Sequence, residues 1–277
     1  IDQGNMSGLG ASLISRGCNG NGWEAVYWGM DDDVDFTFTD LDFTSIGGLA
    51  DINHVPSGFN VFQIFNADDN SRIYRDTEIN NVEFNLLRNG GSYTTRRSKS
   101  ANFELLAGFR MFQFDESFRY VANGSGAYPG STEYRLEAEN LLLGAQLGGR
   151  NEVCLGNKLR FASAVSLGIF NNHVETRQRI FDETGYTAVV AGGIAAGRDF
   201  DYMAEDDDIA MLGQIDLGLI YQLTSKIRAR AGYRAMGVSG VALAVDQMPS
   251  NFQDPGLLQQ ARSNGSLLMH GVYFGAE

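Results

Sequence analysis

Residues 209–235 read IAMLGQIDLGLIYQLTSKIRARAGYRA, and the alternation in this stretch decides the fold. Ile209, Met211, Gly213, Ile215, Leu217, Leu219 and Tyr221 share one face at period two, and Ala210, Leu212, Gln214, Asp216 and Gly218 share the other. A period of two belongs to a strand whose faces meet different surroundings. After the short turn at 223–225, Ile227, Ala229, Ala231, Tyr233 and Ala235 lie on one side and Arg228, Arg230 and Arg234 on the other. Two such runs around a tight turn form an antiparallel hairpin.

Working outward, the same pattern recurs. Phe103, Leu105, Ala107, Phe109 and Met111 oppose Glu104, Leu106, Gly108 and Arg110. In 141–147 and 159–169 leucines, Phe161, Val165 and Ile169 oppose glycines, Gln146, Arg160 and Ser166. Weaker versions lie near 6–15, 22–30, 80–88 and 266–276, which makes nine strands. Helix signals (a 3.6-residue apolar stripe with a cap and a glycine stop) are almost absent. Several runs last ten residues or more, whereas sandwich strands average about 5–6. A strand that crosses a bilayer needs about 9–11.

The connections carry their own message. Short ones fall at 16–22, 89–100, 149–157 and 223–225, and long ones at about 31–78, 116–133, 178–207 and 240–265. Strict alternation of short and long is what an up-and-down outer-membrane barrel produces, with tight periplasmic turns and longer outer loops. The composition agrees. With 34 Gly, 18 Phe, 11 Tyr and only 4 Pro in 277 residues, the chain is neither collagen-like nor disordered. Its mean hydropathy of −0.19, with no apolar run of about 18 residues, excludes helical spans but not a barrel. The expected fold is therefore all-β: a single domain over 1–277, an antiparallel up-and-down transmembrane barrel of about ten strands, with eight or twelve as alternatives. Ten follows from parity, because an even barrel needs one strand more than nine. The expected source is a strand ahead of Ile1, since the loop rhythm makes the first strand run downward from the outside; the start at isoleucine with no signal segment is expected of a removed signal peptide or of a fragment. The alternative is a hairpin within 34–66, where Val34 to Phe38 and Val61 to Phe65 alternate.

The net charge of −13 is uneven. Residues 31–78 carry a net −9 and 182–208 a net −7, so the rest of the chain carries +3. Both acidic stretches fall in long loops of one end. The short-turn end holds Arg16, Arg88, Arg96, Arg97, Lys99, Arg150, Lys158 and Lys226. No concentrated basic face exists, which argues against nucleic acid as a partner. Asp31, Asp32, Asp33, Asp206, Asp207 and Asp208 offer hard oxygen ligands, so calcium is a candidate, although no EF-hand order is present. Such a cation would also bridge to lipopolysaccharide phosphates. The commoner reading of such residues is a solvated acidic surface.

The most specific constellation is the charged inner face: Glu83, Glu104, Arg110, Arg160, Asp216, Arg228, Arg230 and Arg234. In an open pore these would set selectivity. A barrel of eight to ten strands is barely wider than the side chains inside it, so mutual pairing and a closed interior are expected. His54, His173 and His270 sit in no nucleophile motif, and no enzymatic activity is expected. Gly4 to Gly10 and Gly192 to Gly197 lack the Lys-Ser/Thr of a phosphate loop. Cys18 and Cys154 share the short-turn end. They could pair in an oxidising periplasm, but their turns lie several strands apart.

Three segments resemble a putative β-barrel porin family abundant in planctomycetes: Phe103 to Glu116, Leu141 to Gly149 and Tyr221 to Tyr233. The closing His270 to Glu277 is also similar. The resemblance covers roughly 6–30 and 79–277, in matching order, and implies an outer-membrane barrel exposed at the cell surface. Members usually open with a Trp-bearing strand, which this chain starts too late to show. The 31–78 stretch looks longer than is typical. The resulting expectation is a structural or surface barrel of the outer membrane, embedded in lipid and lipopolysaccharide and packed as a homo-oligomer. The alternatives are a porin-like passive channel and, more distantly, a surface adhesin.

Overall fold

The computed structural model describes residues 6–38, 52–54, 59–60, 68–94, 100–124, 130–190, 195–249, 252 and 254–277. Its strands are β1 (Ser7–Arg16), β2 (Gly22–Phe38), β3 (Ile52–His54), β4 (Phe59–Asn60), β5 (Asp68–Thr94), β6 (Ser100–Gly124), β7 (Gly130–Cys154), β8 (Leu159–Asp182), β9 (Val189–Val190), β10 (Asp201–Gln222), β11 (Arg228–Val241) and β12 (Gly265–Ala276). Nine of them form one sheet in the order β1-β2-β5-β6-β7-β8-β10-β11-β12. Every neighbouring pair is antiparallel, so the sheet is an up-and-down meander. These are the nine strands expected from alternation, in the expected order. The tenth is not among the described residues. Val34 to Phe38 prolongs β2, and 61–65 lies outside the described residues.

Three expected long loops are shorter than the sequence reading drew them. The stretch 116–133 is mostly strand, since β6 runs to Gly124 and β7 begins at Gly130. β2 and β5 likewise take up 31–38 and 68–78, and β8 and β10 take up 178–182 and 201–207. The reason is visible in β6. From Phe103 to Phe109 its outward side chains are apolar, and Phe109 is 73% exposed. Beyond Met111 the inward ones, Glu116 apart, are apolar instead: Phe112, Phe114, Phe118, Tyr120 and Ala122 are all buried. The strand continues, but its polarity inverts. β7 does the same, with Leu143 and Leu147 exposed and Tyr134, Leu136 and Ala138 buried. So does β8, with Val165, Leu167 and Ile169 exposed and Val174 and Ile180 buried. In β10, Ile209, Met211, Ile215, Leu217, Leu219 and Tyr221 are exposed, and Tyr202 and Ala204 are buried. Each long strand thus has a half with an apolar outer surface, toward the short turns, and a half with an apolar interior, toward the long connections.

The inversion follows one register row. Asp31 pairs with Glu78, Glu78 with Asp115, Asp115 with Glu139, Glu139 with Glu175 and Glu175 with Glu205. Six carboxylates on six adjacent strands therefore form one rung just beyond the apolar outer belt. Two rungs farther out lies a basic row, Arg119, Arg135 and Arg179. Like charges directly opposite each other on a sheet destabilise it. Asp115, in mid-rung, shows the effect. Partial burial, together with Glu139 and Glu78 on either side, pushes its carboxyl up to about 6, against a hydrogen bond from Gln113. A raised carboxylate pKa favours the fold at low pH, and that contribution is lost as pH rises from the unfolded value through about 6. Asp115→Asn is therefore expected to stabilise the protein at pH 7.5 by roughly 1 kcal/mol after solvent screening. The gain should vanish below pH 4, as read from chemical-denaturation midpoints in detergent.

The sheet rolls on itself, because side chains from distant strands meet inside. The Arg234 guanidinium of β11 lies 5.8 Å from the Trp28 ring centroid of β2, and Trp28 packs edge-on against Phe112 of β6 at 6.2 Å.

Candidate functional site: the interior of the rolled sheet

Inward positions in the half with the apolar belt combine buried apolar residues such as Trp28, Leu106, Leu212 and Ile220 with glycines and polar side chains, and the polar ones at the centre form one connected network. Arg110 of β6 is its centre, only 2% exposed. Its Nε donates to Asn81 Oδ1 at 2.6 Å and its Nη1 to Gln214 Oε1 at 3.1 Å, with Glu83 Oε1 3.8 Å away. Glu83 also accepts from Asn81 and Asn85 at 3.1 Å and from Gln146 at 2.8 Å. On the far side Gln214 donates to Asp216 at 2.6 Å, and Asp216 accepts from Arg234 Nε at 2.7 Å. On the near side Asn85 reaches Glu24 at 3.4 Å, and Glu24 is held by both terminal nitrogens of Arg150. A chain of hydrogen bonds from Arg150 to Arg234 therefore crosses the interior through β7, β2, β5, β6, β10 and β11. Buried charge is tolerable only when paired and hydrogen-bonded in this way.

Of the eight inner charges expected, Glu83, Arg110, Asp216 and Arg234 meet in this network. The other four sit nearer the short-turn rim in separate pairs. Glu104 pairs with Arg16 at 2.8 Å, Arg160 with Glu152 at 3.3 Å, and Arg228 and Arg230 with Glu277 at 2.7 and 3.7 Å. The sequence reading placed Gln146 and Gln214 on the polar faces and Arg150 at the short-turn end without assigning them to the charge cluster, and it missed Glu24, Asn81 and Asn85. Parity would have found Glu24, which alternates with Val26 and Trp28 inward.

The other half of the interior is filled by chain rather than by charge. Gly240 adopts φ 80°, and the β11–β12 register shifts between Ser239 and Val241. A residue with a Cβ at 240 would lie 2.5 Å from Ile209 O. This bulge turns the β11–β12 connection inward, and Ala242, Ala244, Gln247, Phe252, Leu258 and Ala261 are buried. Phe252 packs against Tyr134 at 5.8 Å and Phe200 at 5.7 Å. Side chains of the opposite wall fix the main chain of this plug. Asn140 accepts from Ala242 N at 2.7 Å and donates to Ala242 O at 2.8 Å. Glu116, held by Arg75 at 2.5 Å, accepts from Ala244 N at 2.8 Å, and Gln178 donates to Gln247 O at 3.1 Å.

The remaining candidates are dispersed. Asp31, Asp32 and Asp33 lie on β2, and Asp206, Asp207 and Asp208 on β10, with β5 to β8 between them. Both triplets are strand residues rather than loop residues. Asp207 lies 3.1 Å from His173 Nδ1, and Asp208 accepts from Ser263 at 2.5 Å. Among the described residues, no group of three or more His, Cys, Asp or Glu side chains could hold a metal ion. His173 faces outward, and its imidazole is raised in pKa by Asp207. His270 stacks on Tyr233, and His54 lies in β3. Cys18 in the β1–β2 turn and Cys154 at the end of β7 are not bonded to each other in the structure. β5 and β6 stand between their strands.

A family model described as "Putative beta barrel porin-7" matches residues 70–277, about three quarters of the chain. No curated protein and no solved structure gives a match.

Proposed function

The chain belongs to the beta barrel porin-7 family, and from that premise we propose that it is an outer-membrane β-barrel with a closed interior and a structural role at the cell surface. The observation that carries this reading is the double obstruction of the interior. The Arg150-to-Arg234 network crosses it at the level of the apolar belt, and Ala242, Ala244, Gln247, Phe252, Leu258 and Ala261 of the plug fill it above. The membrane placement draws support from the outward apolar rows. Phe103 to Met111 on β6 and Ile209 to Tyr221 on β10 span nine and thirteen residues. At about 3.3 Å per residue these lengths cover a belt about 25 Å tall. The plugged half, with its polar outside, then stands in water beyond the outer leaflet. The carboxylate rung and the arginine row face the lipopolysaccharide headgroups. The short turns lie in the periplasm.

The purified protein in planar bilayers is expected to give no stable single-channel steps under applied voltage. A reproducible open level would overturn the closed reading in favour of a porin-like passive channel, whose selectivity would come from Arg110 and Arg234. A self-packing array, the homo-oligomer of this proposal, requires side-by-side contact of apolar belts. Cross-linking in native membranes should then yield a ladder of multiples of the chain mass.

A further inference from the structure

The outward wall is not uniform around the sheet. Along β11 its side chains are Ala229, Ala231, Tyr233, Ala235, Gly237 and Ser239, between rows of larger residues on β10 and β12. In one register row at mid-belt, Leu147 of β7 and Leu167 of β8 are followed by Gly213 of β10, Gly237 of β11 and Leu268 of β12. A Cβ on Gly237 would meet nothing within 4 Å. The dip is part of an apolar groove of about 1410 Å³ whose lining includes Leu167, Met211, Gly213, Gly237 and Leu268.

A polar pair borders this groove. Tyr233 Oη and His270 Nδ1 share a hydrogen bond of 2.5 Å, their rings stack at 5.9 Å, and both side chains are exposed. His270 pairs with Ala235, one outward position from Gly237. An ionisable side chain at this depth is costly against hydrocarbon and marks a contact or a site. Charge singles out the same sector. β2, β5, β6, β7, β8 and β10 each place a carboxylate in the rung, whereas β11 and β12 contain no Asp or Glu. In a chain of net charge −13, a wall free of the rung is one that a like-charged molecule can approach.

We propose that the β10–β12 wall is an isologous contact with a second copy of this chain. The proposal rests on the membrane reading above and gives the homo-oligomer its contact surface. Lipid tails are as apolar as leucine, so association within a bilayer is driven by close packing of small residues and by polar contacts. This wall offers both. Two copies related by an axis along the membrane normal cross their strands, each tilted by about 35–45°, at roughly twice that angle. The contact is then a patch around one crossing point. Gly213, Ala235 and Gly237 permit the closest approach there, and the patch shields both Tyr233–His270 pairs from lipid.

The test uses the whole chain in membranes, with Cys18 and Cys154 changed to Ser. Only a self-contact brings two copies of one residue within the ~7 Å that a disulfide spans. On oxidation, Ala235→Cys or Gly237→Cys should therefore give roughly tenfold more disulfide-linked dimer than Leu86→Cys, which lies in the mid-belt row on β5. No dimer from either position, or as much from Leu86→Cys, overturns the proposal. Gly237→Trp fills the groove and should leave a folded monomer in mild detergent, while Leu86→Trp stays dimeric; mass and heat-modifiable mobility read both. A Gly237→Trp protein that remains dimeric overturns the proposal equally. A benzophenone side chain at 237 that captures acyl chains and no second copy assigns the groove to lipid and overturns it as well. Failure of the membrane reading would show instead as tolerance of arginine at Leu167. A cross-linking ladder that persists while cysteines at 235 and 237 stay unlinked would keep the oligomer and sink this contact.

Discussion

Replacing Arg110 with alanine is expected to destabilise the protein by about 3–5 kcal/mol, the usual cost of leaving one member of a buried charge pair alone. Arg110 joins three separate parts of the wall: Asn81 and Glu83 on β5, Gln214 on β10 and, through Nη2 at 3.6 Å, the Met236 sulfur on β11. Truncation leaves Glu83 ionised in a site where only Asn81, Asn85 and Gln146 still contact it. The double variant Arg110→Met with Glu83→Gln removes both charges and should recover most of the loss, because a neutral pair of similar volume does not need the ion pair. Urea unfolding of refolded protein in detergent, or heat-modifiable mobility on gels, reads both. An Arg110→Ala variant within about 1 kcal/mol of wild type would show that the network is solvated and the interior open. Removal of the 243–262 plug alone should not produce conductance, because the network remains. Removal of both should.

Two arginines on the same outward face of β8 should behave in opposite ways. Leu167 is 67% exposed, and Glu175, eight residues along, is also exposed. In a water-soluble sheet both positions would accept arginine with little effect. In a membrane barrel Leu167→Arg puts charge near the belt centre, at about 2–4 kcal/mol. Glu175→Arg should cost nothing and gain a few tenths of a kcal/mol, because Glu139 and Glu205 flank it in the rung. Folding into vesicles, scored by protease protection, measures both. Equal tolerance at the two sites would remove the protein from the bilayer.

The sequence announced the strands through alternation, and all nine lie where alternation put them. It concealed their length. In β6 the apolar phase passes from Phe109 and Met111 to Phe112 and Phe114, two adjacent apolar residues mark the change, and a reader following one face takes this for a strand end. The backbone does not end there, because hydrogen-bonded pairing is indifferent to which face is apolar. The same blindness hid half of the interior network. Arginine and glutamate at inward positions stood out, while Asn81, Asn85, Gln146 and Gln214 read as unremarkable polar residues until the fold brought them around Arg110. The plug had no local signal at all. Phe252 and Leu258 become core only because the Gly240 bulge points their segment inward.

The rung of six carboxylates also acts on register. A strand that slipped by one residue against its neighbours would exchange its faces, and both halves of the inverted pattern would be wrong at once. A slip of two keeps the faces, and is the error that an ordinary alternating barrel tolerates most easily. Here it would carry a carboxylate about 7 Å along the strand, in one direction to the margin of the apolar belt, at the level of Gln113, Leu141 and His173. The acidic row that strains the finished sheet thus works as a depth mark during assembly, penalising the near-miss alignment that the alternation alone would accept.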